Sequence, residues 1–184
     1  MPTAPSANLG TLDMEALAQE NDAAISAIKA YEIRFVLNTE KILSLDASQH
    51  PLEWRSIKFG TNERDRVPDD KRGVYAFVIS DPQAFLPPHG YIMYIGIAGK
   101  NSNRSLRERY GDYLTNSKVK LRPHIRNMIV QWHPILRFHF APVAEDYSTD
   151  QLTALEDRLI TAFLPPCCKN DFAADTRRQV AAFS

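Results

Sequence analysis

The sequence predicts an α/β fold: a small, mainly antiparallel three-stranded sheet flanked by helices, with a partly helical N-terminal extension. Three observations lead there. Two β-branched and aromatic runs, "GVYAFVIS" and "YIMYIGIA", stand either side of a proline-rich loop. A third run, "ILRFHFAPV", alternates, and helical periodicity occurs before and after it. With 184 residues and 44% hydrophobic content the chain is long enough for one packed domain with a decorated terminus. No apolar stretch reaches the roughly 18 residues of a membrane span. The start, "MPTAPSANLG", carries neither the basic nor the apolar block of a secretory signal. A cytoplasmic protein without a membrane partner is expected.

In chain order, residues 12–30 carry apolar side chains at 14, 17, 25 and 28 among good helix formers, which predicts a helix. "EIRFVLNTEKILSL" has mixed periodicity, and the segment from Asp46 to Gly73 is dominated by turn-forming and charged residues. Residues 1–70 therefore read as an extension of unknown role, and residues 71–184 as the main domain. "GVYAFVIS" is a strand bounded by charge and by the turn "DPQ"; "AFLPPHG" cannot enter a sheet interior; "YIMYIGIA" is a second strand that pairs with the first. After the loop "GKNSN", either Asn103 or Ser105 caps a helix whose Leu106, Tyr110, Tyr113 and Leu114 form one stripe. Pro123 begins a short helix over "RPHIRNMIVQW", and a Ser148–Gln151 capping box begins another that Pro165 and Pro166 end.

Charge is sorted along the chain. The 22 basic and 22 acidic side chains balance, yet residues 100–126 hold eight basic and two acidic ones. Lys100, Arg104, Arg107, Arg109, Lys118, Lys120, Arg122 and Arg126 make up this set, which suits either a solvated helix face or a polyanion site. Cys167 and Cys168 are adjacent and form no metal-binding pair, and His124, His133 and His139 lack ligand spacing. In the last of these helices Leu152, Leu155, Leu159 and Phe163 mark the stripe. Glu156 falls beside it, in one row with Leu152 and Ile160, while Asp157 points elsewhere. A carboxylate placed so needs a compensating partner, either an arginine or a metal ion.

"GVY" at 73–75 and "YIG" at 94–96 resemble the two halves of the signature of the GIY-YIG nuclease family. "SLRERYGDYL" is similar to the helix carrying that family's essential arginine, which falls at Arg109 with an accompanying Tyr113. "LEDRLITAFLPPCCKN" is similar to its closing segment, with the glutamate at Glu156 and the asparagine at Asn170. The resemblance covers residues 72–171. It implies a DNA endonuclease dependent on Mg²⁺ or Mn²⁺, with RNA as the other candidate substrate. Glu156 would hold the metal, Arg109 would donate to the scissile phosphate, and Asn170 would fix geometry. Tyr75 would orient or deprotonate the attacking water, directly or through Tyr94, and a base role requires its phenol pKa to be depressed. Gly96 would admit a close approach of backbone and substrate, and the other basic residues of 100–126 would contact phosphates. The chain departs from the family at Ile97, where repair members often carry lysine and for which Lys100 is the substitute. The loops Tyr75–Tyr94 and Gly96–Arg109 are longer than usual, and Asn170 lies farther from Glu156. Those departures, with the neutral total charge, leave a second expectation: a nucleic-acid-binding module that keeps the fold without the chemistry.

Overall fold

A strand as apolar as Gly73–Ile79 is stable only when both of its faces are covered, and the computed structural model places it in the interior of a sheet with all seven residues buried. Residues 32–45, 52–80, 87, 89–100 and 104–182 are described. The helix expected over residues 12–30, most of the proline-rich loop and Asn103 lie outside them. The chain divides into two units, Met1–Ile33 and Arg34–Ser184, so the boundary expected near residue 70 falls inside the second unit, to which all the described secondary structure belongs.

The elements are α1 (Thr39–Leu43), β1 (Arg55–Lys58), a 3₁₀ turn (Thr61–Arg66), β2 (Gly73–Ile79), β3 (Tyr91–Ala98), α2 (Leu106–Tyr113), α3 (Asn116–Lys120), α4 (Pro123–Trp132), a 3₁₀ turn (His133–Ile135), β4 (Leu136–Pro142), α5 (Thr149–Phe163), a 3₁₀ turn (Pro166–Asp171) and α6 (Ala174–Ala182). Among the described residues the sheet has four strands rather than three, in the order β1-β4-β2-β3, and every pair is antiparallel. The unexpected strand, β1, comes from the segment read as turns. Its four residues bury Ile57 alone, too short an alternation to register as periodicity. In the β2–β3 hairpin Phe77 pairs with Tyr94 and Val78 with Ile92, leaving Met93 as the extra residue of a bulge.

Each face of the sheet has its own chemistry. Tyr75, Phe77, Tyr94, Phe138 and Phe140 make one face aromatic. Phe59, Tyr110 and Tyr113 pack onto it, with Tyr110 and Phe138 centroids 4.6 Å apart and Phe77 and Tyr113 centroids 4.8 Å apart. The other face, Val74, Ala76, Val78, Ile95, Ile97 and Ala141, is aliphatic and packs against Leu152, Leu155 and Ile160 of α5. The buried side of α5 is turned slightly from the expected stripe: Leu152, Leu155, Ile160 and Ala162 are buried, and Leu159 and Phe163 only partly.

Local signals set where the helices begin. Ser105 caps α2 in a reciprocal box with Glu108, its Oγ accepting from the Glu108 N–H at 3.1 Å and its own N–H donating to the Glu108 carboxylate at 2.9 Å. Two further N–H groups of that first turn, of Leu106 and Arg107, donate to the carbonyls of Lys71 and Pro68. Helix α2 is thereby tied to the chain just before β2. The expected Ser148–Gln151 box begins α5, Pro123 sits in the first turn of α4, and Leu164 ends α5 in the left-handed region at φ 43°. Beyond it, Cys168 lies on the outer edge of β3. The Ile95 N–H donates to its Sγ at 3.3 Å, and the thiol donates back to the Ile95 carbonyl at 3.4 Å.

Candidate functional site

The second turn of α2 crosses the aromatic face and carries Arg109 to Tyr75. Arg109 Nε donates to the Tyr75 hydroxyl at 3.0 Å, the Tyr75 and Tyr113 hydroxyls are 2.8 Å apart, and the guanidinium lies 5.9 Å from the centre of the Tyr113 ring. Arginine has donors only, so the Tyr75 oxygen accepts at this contact and its own proton is available to Tyr113. Burial pushes the Tyr75 phenol well above its ordinary pKa, with Tyr113 adding to the effect. Tyr94 and Tyr113 are likewise raised, chiefly by burial. The depression that a base role for Tyr75 requires is therefore not found in this arrangement.

A cleft of about 460 Å³ opens beside these groups. Tyr94, Lys100, Arg104 and Arg109, from β3, α2 and the loop between them, line it together with Glu156 and Asp157 of α5 and Asp171 of the following turn. Ile97, Ala98, Gly99 and Ile160 complete the lining. The cations and the carboxylates thus come from different elements. Asp157, expected to point elsewhere, and Asp171 both belong to it. Asn170 is exposed and does not line the cleft, which Asp171, one residue later, does. In a 3₁₀ turn neighbouring residues differ in direction by about 120°, so a one-residue offset decides which of them faces inward.

Glu156 has the partner that its position demands, and it is a lysine rather than an arginine. Lys100 Nζ stands 3.6 Å from its Oε2, and the Glu156 side chain is only 15% exposed. Burial raises the Glu156 pKa, while Lys100 pulls the other way. Among the described residues no three His, Cys, Asp or Glu side chains converge as a ready metal cage. Glu156 by itself, an oxygen donor in an open cleft, suits a hard divalent ion that accepts one or two carboxylates and keeps several waters.

Tyr75 and Tyr113 do not line the cleft; they are buried, 0% and 3% exposed. Gly96 has a different reason from the expected one. A Cβ there would stand 2.6 Å from the Tyr75 hydroxyl and 2.7 Å from its Cζ, so the glycine makes room for the Tyr75 ring. Gly73 is constrained in the same way by backbone, since its Cβ would come within 2.2 Å of the Ala141 carbonyl oxygen.

The remaining basic residues divide into two groups. Arg107 donates to the Val67 carbonyl at 2.6 Å and the Asp65 carbonyl at 2.9 Å and pairs with Asp69 at 2.9 Å, so it binds the preceding loop rather than a phosphate. Lys120 and Arg126 are exposed away from the cleft, and Arg122 lies against the Tyr113 ring at 5.7 Å. Arg104 and Lys118 share a residue that the sequence reading passed over. Asp112, 5% exposed, receives both Arg104 NH groups at 2.7 Å, the Lys118 ammonium, and Arg109 at 3.5 Å. Burial alone would raise its pKa, but the hydrogen bonds from Arg104 and Lys118 outweigh that and hold it at about 2. Its signal was the i, i+3 spacing from Arg109. Comparison of the chain with protein-family models, with curated proteins and with solved structures gave no match, so the chemistry of the cleft rests on its own residues.

Proposed function

We propose that the chain is a metal-dependent endonuclease of the GIY-YIG type, acting on DNA. The observation that supports this most is that Tyr94 of β3, Arg109 of α2 and Glu156 of α5, far apart in sequence, line one cleft. A divalent ion held by Glu156 would neutralise charge on the phosphate and acidify a water. Arg109, held from behind by Tyr75 and Asp112, donates charge-assisted hydrogen bonds to the phosphate oxygens as negative charge develops. The Tyr94 hydroxyl orients the attacking water. Tyr75 acts through its neighbours as a positioning residue, because its own hydroxyl is buried.

Incubation of supercoiled plasmid with the protein and Mg²⁺ or Mn²⁺ is expected to give nicked and linear product, none with EDTA, and at least ~10²-fold slower cutting by Arg109→Ala or Glu156→Ala. Absence of cutting of plasmid, duplex and single-stranded DNA would overturn the proposal, and RNA cleavage in a parallel panel would reassign the substrate. The second reading, a binding module without turnover, draws on Lys100 engaging Glu156 and on the outward position of Asn170. It predicts salt-sensitive DNA binding with no product in any metal.

A further inference from the structure

Arg104 lines two cavities. Beside the cleft it shares with Arg109, it borders a groove of about 410 Å³ on the other side of α2, bounded by Thr61, Arg64, Asp112, Thr115 and Lys118. The charges of this groove are uneven. Asp112 is nearly enclosed and pairs with Arg104 and Lys118 of the groove and with Arg109 of the cleft. With Arg64, the three cations that line the groove face two carboxylates, Asp112 and Glu108, a surplus of one. The Arg104 and Lys118 side chains remain 36% and 51% exposed, so both keep a face to solvent while holding Asp112. Arg64 adds a further exposed cation from the 3₁₀ turn. It lies over Gly111, where a Cβ would be 3.6 Å from its Nε. The other carboxylate of the groove, Glu108, is occupied in the cap of α2.

These charges give the two cavities a direction. Arg109 and Arg104 line the cleft that holds the carboxylates of α5 and the following turn, and Arg104 also lines the groove with Lys118 and Arg64, so Arg104 is common to both. A strand carrying one negative charge per nucleotide, with one phosphate beside Arg109, is repelled on the carboxylate side and attracted along the cationic one. We infer that the groove formed by Arg64, Arg104 and Lys118 is a seat for the sugar-phosphate backbone of the nucleic-acid strand that enters the cleft. The seat reads charge and spacing rather than base identity, because it offers cations to phosphate oxygens. The inference rests on the endonuclease reading for the choice of ligand, and its test is a binding measurement without metal, so that the two can fail separately.

Fluorescence anisotropy in EDTA, with labelled DNA and RNA oligonucleotides and the full chain, measures affinity across a salt series. Arg64→Glu with Lys118→Glu is expected to weaken binding at least ~tenfold near physiological salt and to lower the slope of log affinity on log salt by about two. Gly111→Glu provides a second variant. It adds a carboxylate beneath Arg64 while improving helix propensity, and it is expected to weaken binding as well. The pair Lys41→Glu with Arg177→Glu, at exposed positions on α1 and α6, should leave the slope unchanged. Whichever nucleic acid binds more tightly identifies the strand. Binding by Arg64→Glu/Lys118→Glu within twofold of wild type overturns the seat, as does an equal loss in the control pair. Wild type that binds neither DNA nor RNA overturns the seat and the endonuclease together. The expected binding losses in a protein that cuts nothing would leave the seat standing and remove the enzyme. A wild type that nicks plasmid, with groove variants that bind undiminished, would do the opposite.

Discussion

Glu156 is flanked at i−4 and i+4 by Leu152 and Ile160, both buried, so its charge is held where solvation is poor. The folded protein binds the Glu156 proton more tightly than the unfolded chain does. Ionisation therefore subtracts stability as pH climbs from the ordinary glutamate value of 4.5. Glu156→Gln, neutral throughout, is expected to melt above wild type at pH 7. The difference should close as pH falls below 4.5, and plasmid nicking should be lost at every pH. Thermal melts at pH 4 and 7 check this, and a lower melting temperature for the variant at pH 7 would contradict it.

At the level of elements, α2 is both the carrier of Arg109 and a helix tethered at both ends. Its first turn is held by Lys71 and Pro68, its Arg107 by Val67, Asp65 and Asp69, and its far end by Asp112. Arg107→Ala is expected to cost about 2 kcal/mol in urea unfolding while leaving the salt dependence of DNA binding unchanged; a drop of one in that slope would return Arg107 to the phosphate contacts. What was legible in the sequence here was local. The capping boxes, the proline start of α4 and the β2–β3 pairing are each written within a few residues. Strand β1 was not legible because its partner β4 lies some eighty residues away in sequence and its own pattern is one buried residue long. Arg104 and Arg107 looked alike as members of a basic cluster. Only the fold shows that Arg107 faces a loop and Arg104 a cleft and a groove, since the loop positions that decide this carry no periodicity.

For the whole molecule, a net charge of zero hides a strong segregation of charge along the chain, which is why composition alone argued weakly for a polyanion partner. The unit Arg34–Ser184 includes β1 and the turn Thr61–Arg66, so both belong with the rest of the sheet. Deleting residues 1–33 is expected to preserve a cooperative melt. Deleting residues 1–70 removes an edge strand and the Pro68 carbonyl that receives the Arg107 N–H, and is expected to abolish the melt; circular dichroism on both truncations decides it. The sheet also has to stop somewhere, and its two ends stop differently. On one side β1 is only four residues long and carries Arg55 and Lys58, a combination that discourages a stranger from pairing. On the other, the Cys168 thiol answers both the N–H and the carbonyl of Ile95 from a single atom. That sulfur stands where a fifth strand would begin, so the edge beside Tyr94 is closed to β-addition, and a partner strand could dock there only by displacing the turn that carries Asp171 into the cleft.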